Sequence, residues 1–195
     1  HRGLIETYFG NDISYKFLDY FTDFFSNFFL GSSVVTYTVS LGFGCYWKKC
    51  NFCDFKKLSN WTKDKIIERP NIEEILESIP RPDFKSVVAT CIDSLTPSIL
   101  EKILSLRKDV TFGSFLRPDR NIIDVIKKYE NLSNQTFTIG LEGFSQKIMD
   151  KLNKGIDLES SIELVENIVL RKGHVSITIM GGLPFLTNEI LEESR

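Results

Sequence analysis

The chain has 195 residues, 42% of them hydrophobic, so it can bury a core and its composition excludes an intrinsically disordered protein. Its 24 Lys and Arg residues nearly balance 26 Asp and Glu residues, giving a net charge of −2. A nucleic-acid partner is therefore not supported, because such proteins usually show a basic footprint. Three of the four cysteines fall within nine residues, which is not a secreted disulfide framework and favours a reducing, cytoplasmic location.

The N-terminal residues 1–33 are predicted to form a helical linker segment. Apolar side chains in residues 17–30 recur with the spacing of one helix face, and phenylalanine dominates that face. Asp19 and Asp23 interrupt the stretch, and it is shorter than the ~20 apolar residues that span a bilayer, so no membrane partner is expected. The chain lacks an initiator Met and a signal peptide, and we interpret it as a piece of a longer protein.

From residue 34 onward, predicted strands and helices alternate. Strands are expected at 34–41, 86–92, 110–116, 136–141 and 175–180, and helices at 71–79, from 97, at 122–129, 145–153 and 158–172, and from 188. Thr96 is the expected N-cap of the second helix, with Pro97 in its first turn. Gly155 and Gly173 are the expected left-handed residues that end the two long helices before them.

This alternation predicts a parallel sheet covered by helices. Either a doubly wound sheet or a barrel satisfies the pattern, because both use right-handed crossovers. In both architectures the chemistry takes place at the carboxyl ends of the strands. The cysteine loop follows the first strand directly, so the sequence predicts that the loop lies at that edge.

The three clustered cysteines, Cys45, Cys50 and Cys53, favour an iron–sulfur cluster. Three thiolates can hold three irons of a cube and leave the fourth iron open to a ligand. A zinc site is an alternative, in which the Cys50–Cys53 pair and Cys45 would need Cys91 or a His as a fourth ligand. Free thiols without a ligand are a third interpretation. The glycines of Gly42-Phe43-Gly44 favour a chain that wraps closely around a cluster.

The loop resembles that of the radical S-adenosylmethionine (radical SAM) superfamily, whose usual pattern is C-x3-C-x2-C with an aromatic residue before the last cysteine. Phe52 occupies the aromatic position, and four residues instead of three separate Cys45 from Cys50. Further motifs resemble the same family in the same order: Arg117-Pro118-Asp119, the segment 139–155 that ends in Leu152-Asn153-Lys154-Gly155, and Met180-Gly181-Gly182-Leu183-Pro184. The similarity is to a branch with a cobalamin domain, which includes peptide-maturation enzymes.

The resemblance implies an α/β fold for residues 34–195, a partial (βα)6 TIM-like barrel with about five βα units and the sixth missing. It implies that Cys45, Cys50 and Cys53 hold a catalytic [4Fe–4S] cluster, and that SAM is cleaved there to a 5′-deoxyadenosyl radical. Among the cofactor-binding residues that it implies, Phe52 would lie against the adenine and Arg117 would meet the SAM carboxylate. Glu142 would contact the ribose or amino group, and Gly181 and Gly182 would let the backbone approach the adenosine.

Several functional alternatives remain open at this point. The enzyme is expected to modify a peptide, or to be a methyltransferase that uses cobalamin held by a domain outside this chain. Its expected partners are a small-molecule or peptide substrate and an electron donor of the flavodoxin or ferredoxin type. The alternatives are an RNA-modifying, methylthiolating radical SAM enzyme and a non-catalytic zinc or iron–sulfur module. Cys91 lies at the end of the second strand and Asp93 follows it, and both are further candidates at the same edge.

Overall fold

The computed structural model describes residues 36–39, 41–43, 45–53, 67–68, 71–79, 87–90 and 95–192. The predicted N-terminal helix at 17–30, and Cys91 and Asp93, lie outside these residues. Within the described part of the chain, no helix has the length and apolar character needed to cross a membrane.

Five parallel strands of the described residues form the main sheet. They are β1 (Thr36–Val39), β4 (Val87–Thr90), β5 (Thr111–Leu116), β6 (Gln135–Glu142) and β7 (His174–Ile179), and they lie in that order across the sheet. Each strand pairs with the next strand of this set along the chain, and the order never reverses. This succession is that of a barrel wall, whereas a doubly wound sheet contains a reversal of strand order. The predicted partial TIM-like barrel is therefore confirmed.

A small antiparallel pair of strands lies at the base of the cysteine loop. Strand β2 (Gly42–Phe43) pairs with β3 (Ile67–Glu68). The sequence analysis expected the first strand to run unbroken into the loop. A two-residue pair formed across more than twenty intervening residues leaves no local pattern from which to predict it.

Helices connect the strands of the main sheet. They are α1 (Ile72–Ser78), α2 (Pro97–Leu106), α3 (Arg120–Lys127), α4 (Gln146–Lys151), α5 (Leu158–Leu170) and α6 (Asn188–Glu192). The predicted cap of α2 is confirmed, because the Thr96 hydroxyl accepts a hydrogen bond from the Ile99 amide at 3.3 Å. The core lies between these helices and the sheet, and Phe112 of β5 and Phe137 of β6 are its largest fully buried side chains.

The ends of α4 and α5 differ from the prediction. Asn153 is the left-handed residue of the turn that ends α4, with φ +54°, and Gly155, two residues later, is left-handed as predicted, with φ +58°. After α5 the left-handed residue is Lys172, with φ +64°, and not Gly173. Both turns have the two hydrogen bonds of a Schellman motif, such as Lys154 N to Met149 O at 2.9 Å and Gly173 N to Ile168 O at 2.9 Å. Glycine is needed at Gly173 for a different reason, because a Cβ there would lie only 2.6 Å from the Ile168 side chain.

Removing the cap of α5 is expected to cost about 1 kcal/mol of unfolding free energy. Asp157 accepts a hydrogen bond from the Ser160 amide at 2.6 Å, so Asp157→Ala loses the cap whereas Asp157→Asn keeps an acceptor. The hydrogen bonds from Ser160 lower the pKa of Asp157. A lowered pKa means that the charged form stabilises the fold at neutral pH and that this contribution is lost as pH falls below about 4. Urea unfolding at pH 7 and pH 3 checks both statements, and Asp157→Asn should lose less stability than wild type between the two pH values. An Asp157→Ala protein as stable as wild type at pH 7 would contradict them.

Candidate active site

A cavity of about 270 Å³ opens at the carboxyl ends of β5, β6 and β7. Six of the residues proposed from sequence line it: Cys45, Cys50, Phe52, Cys53, Arg117 and Glu142. The other lining residues are Phe115, Leu116, Pro118, Gly140, Lys154, Ile156 and Thr178. The cavity thus brings the cysteine loop against three consecutive strand ends, as the position of the loop after the first strand predicted.

The three loop thiols are half-buried, reduced and near one another. Burial raises the pKa of the Cys50 thiol, and the nearby cations Lys154 and Arg117 act in the opposite direction. Within the described residues, no three His, Cys, Asp or Glu side chains converge closely enough to hold a single metal ion. A [4Fe–4S] cluster does not need side chains that converge on one point, because each thiolate binds a different iron. Three soft donors around one cavity beside two cations suit an anionic iron–sulfur cluster, so the residues fit the implied group.

The cysteine loop is docked on the end of α4. Trp47 Nε1 donates to Asn153 O at 2.7 Å, and Asn153 Nδ2 donates to Lys49 O at 2.8 Å. Asn51 adds two hydrogen bonds. Its backbone N–H donates to Leu152 O at 2.9 Å, and its side-chain Nδ2 donates to Lys151 O at 2.9 Å. The loop therefore takes its shape from residues about one hundred positions later in the chain.

The Arg117-Pro118-Asp119 motif holds the same loop from the strand side. The Arg117 guanidinium lies 4.6 Å from the Trp47 ring centroid and donates to the carbonyl of Lys154. Asp119 accepts from the Tyr46 hydroxyl and also caps α3 through the Ile122 amide at 3.1 Å. Both aromatic residues that follow Cys45 are thereby anchored. The sequence analysis expected Arg117 to meet a ligand, and the structure shows in addition that it supports the loop.

Lys154 and Glu142 form an ion pair in the wall of the cavity. The Lys154 ammonium lies 3.0 Å from Glu142 Oε1, and the two side chains are only 8% and 12% exposed. Glu142 ends β6 with φ +65°, where the ladder to β7 shifts register, so the carboxylate leaves the regular pleat of the strand. The ion-pair partner of Glu142 is therefore Lys154, and not the Arg117 guanidinium that also lines the cavity.

The remaining predicted residues take different positions. Phe52 is 40% exposed at the cavity, and its ring centroid lies 5.4 Å from the Lys154 ammonium, so it is not a core-packing residue. Gly181 and Gly182 follow β7 and do not line the cavity, although Gly182 has φ +70°. A Cβ added at either glycine would meet nothing within 4 Å among the described residues.

The site residues that sequence reasoning missed are Lys154 and Asn153. Both belong to the Leu152-Asn153-Lys154-Gly155 segment, in which only Gly155 was given a role, at the end of a helix. The signal was a lysine and an asparagine in one short turn after an amphipathic helix. Nothing in the sequence placed that turn beside the cysteine loop, because their contact depends on the packing of β6 and α4.

Substituting Gly155 by alanine is expected to cost about 2 kcal/mol of unfolding free energy, from left-handed strain and overpacking. Gly155 has φ +58°, and a Cβ there would overlap the Trp47 ring. In a Trp47→Ala background the same change should cost about 1 kcal/mol, since only the backbone strain remains. Urea unfolding of the cluster-free protein measures both, with Gly181→Ala as a matched control. Equal costs in the two backgrounds would show that the ring contact is unimportant.

The comparisons with known proteins agree with this site. The family model of the radical SAM superfamily matches residues 39–195. The chain therefore belongs to the radical SAM superfamily. This membership confirms the predicted enzyme class and the predicted cofactors, a [4Fe–4S] cluster and SAM. No curated protein sequence matches the chain.

Solved structures of two enzymes share the fold. The cobalamin-dependent SAM radical enzyme OxsB, with aqua-cobalamin and SAM bound, superimposes with a TM-score of 0.61 at 16% identity over 80% of this chain. The radical SAM methyltransferase TsrM from Kitasatospora setae, with tryptophan and a SAM analogue bound, gives a TM-score of 0.56 at 12% identity over 82% of the chain. The chain spans 25% of OxsB and 33% of TsrM.

Proposed function

We propose that Cys45, Cys50 and Cys53 ligate the [4Fe–4S] cluster and that SAM occupies the adjoining cavity. The observation that supports this most strongly is the shared cavity, in which three thiols of one loop face Arg117, Glu142 and Lys154. When bound, the cluster and SAM supply one kind of chemistry, a one-electron cleavage that yields methionine and a 5′-deoxyadenosyl radical able to abstract hydrogen from a substrate.

The residues of this chain would bind the cluster and SAM and orient them. Arg117 and Lys154 place positive charge beside Cys50, where it opposes the burial that raises the pKa of this thiol. The same positive charge suits an anionic cluster. Phe52 presents an exposed aromatic face at the cavity, which suits stacking on the adenine. Glu142 offers one carboxylate that can accept hydrogen bonds from the ribose or the amino group of SAM. The turn at Gly181 and Gly182 is open enough for the adenosine to approach its backbone.

We assign residues 34–195 to the catalytic core and residues 1–33 to a linker that precedes it. Support for cobalamin comes from the fold shared with OxsB, which is a cobalamin-dependent enzyme, and the cobalamin would be held by a domain outside this chain. The substrate is proposed to be a small molecule or a peptide, and the electron donor a flavodoxin or ferredoxin in the cytoplasm. A cleft open at the strand ends is accessible to substrates of either class.

Anaerobic reconstitution with iron and sulfide tests this function directly. The reduced protein should give the EPR signal of a [4Fe–4S]⁺ cluster, and that signal should shift when SAM is added. A matched sample to which methionine is added instead of SAM should show no comparable shift. A protein that binds no cluster, or a cluster whose signal ignores SAM, would contradict the proposed function.

A further inference from the structure

The Cys45–Cys50 segment contains a left-handed turn at Lys48, whose φ is +57°. Left-handed backbone is unfavourable by about 1–2 kcal/mol for a residue with a side chain, so the surrounding structure must hold it. The Lys48 ammonium, buried among the described residues, makes no hydrogen bond with them. Since neither the backbone nor the side chain of Lys48 favours the turn, its cause lies in the neighbouring residues.

Those neighbours are both bonded to one residue. Trp47 precedes Lys48 and donates to the Asn153 carbonyl at 2.7 Å, while Lys49 follows and accepts from the Asn153 side-chain amide at 2.8 Å. Asn153 is itself left-handed, with φ +54°, and this conformation presents its carbonyl and its side chain to the loop together. One residue thus fastens the chain on both sides of the turn.

We propose that Asn153 is a positioning residue that fixes the Cys45–Cys50 segment and so sets the separation of the Cys45 and Cys50 thiolates. The proposal rests on the proposed function, in which those thiolates are cluster ligands. Four residues between two ligands leave the segment several possible turns, each with its own separation of the sulfur atoms. Fastening both neighbours of Lys48 to one rigid helix end selects a single turn.

Asn153 is exposed, so its substitution is separable from the stability of the core. The Asn153→Asp change keeps the size of the side chain and tolerates the left-handed backbone, but a carboxylate cannot donate to the Lys49 carbonyl. Glycine at this position also tolerates the backbone and removes the side chain without adding charge. Asn134 provides the matched control, because its Nδ2 donates to Lys108 O at 2.8 Å in an exposed turn that does not line the cavity.

The experiment compares wild type, Asn153→Asp, Asn153→Gly and Asn134→Asp, each as the full chain reconstituted anaerobically with iron and sulfide. The readouts are the rate of iron transfer to a chelator, the EPR shift on adding SAM, and the melting temperature of the cluster-free protein. Both Asn153 variants should release iron about fivefold faster than wild type, the equivalent of one hydrogen bond. Their EPR shift with SAM should be reduced, and their cluster-free melting temperatures should match that of Asn134→Asp.

Three results would overturn the proposal in distinguishable ways. Iron release from the Asn153 variants at the rate of Asn134→Asp would show that Asn153 does not position the ligands, while the proposed function would stand. Fast release accompanied by a lowered melting temperature of the cluster-free Asn153 variants would reduce Asn153 to a general stability residue. A wild-type chain that takes up no cluster would remove the proposed function and this inference together.

Discussion

Replacement of Cys50 by serine is expected to reduce cluster-bound iron and sulfide to background. Cys50 lines the cavity near the other two loop thiols and near the cations Lys154 and Arg117. A serine hydroxyl is a hard, weakly acidic ligand, whereas iron–sulfur clusters are held by soft thiolates. Two remaining cysteines cannot hold three irons. Iron and sulfide analysis after anaerobic reconstitution gives the measurement, and reductive cleavage of SAM should vanish with the cluster.

Cys91→Ser is the matched control for this substitution. It removes the same chemical group from the one cysteine that the loop does not contain. The control should retain wild-type iron and sulfide. The loss of the cluster from Cys91→Ser would show that the three loop cysteines are not the ligand set. Retention of the cluster by Cys50→Ser would show the same.

Substitution of Lys154 by methionine is expected to cost about 3 kcal/mol of unfolding free energy, the penalty for leaving one charge of a buried pair without its partner. Glu142 would remain in the cavity wall, only 12% exposed, with its carboxylate uncompensated. Glu142→Gln should cost less, because an amide oxygen still accepts from the Lys154 ammonium. The double variant should cost less than the sum of the two single variants, since it removes both charges.

Urea unfolding of the four proteins of this cycle, without cluster, measures the coupling between the two side chains. Lys147→Met is the matched control, because Lys147 pairs with Glu189 at 2.9 Å but the two side chains are 49% and 77% exposed. Solvent screens such a pair, so the control should lose no more than about 1 kcal/mol. Additive costs for Lys154→Met and Glu142→Gln would mean that the buried pair is not a coupled unit.

Local patterns were sufficient to predict the strands of the main sheet and the helices between them, but not the short β2–β3 pair. The alternation of strand and helix is written in hydrophobic periodicity, and Thr96 with Pro97 marked the start of α2 correctly because a cap is a local interaction. The glycines were a poor guide to the helix ends, because in both turns another residue takes the left-handed position next to the helix. Asn153 and Lys172 take the left-handed positions. Gly155 is also left-handed, but it lies beyond that turn, and glycine is required there because a Cβ would overlap the Trp47 ring.

The candidate site was predictable only in the parts that a motif marks directly. Cys45, Cys50, Cys53, Phe52, Arg117 and Glu142 line one cavity, but their roles toward the cofactors stay predictions. Lys154 was not predicted, since its partnership with Glu142 across twelve positions depends on how α4 packs beside β6. Trp47 is not marked by any motif. Its contacts with Arg117, Asn153 and Gly155 require the three-dimensional arrangement of segments that the sequence keeps far apart.

The docking of the cysteine loop on the end of α4 also has a consequence for the order of events during synthesis. The bonds from Trp47, Asn51 and Asn153 join positions separated by 100 to 106 residues. At a translation rate of about 5–20 residues per second, the ligand cysteines leave the ribosome roughly 5–20 s before the segment that shapes their loop. Until β6 and α4 have folded, the cysteine loop lacks the hydrogen bonds that hold its thiolates in place. Insertion of the cluster is therefore expected to follow translation of this region rather than to accompany it.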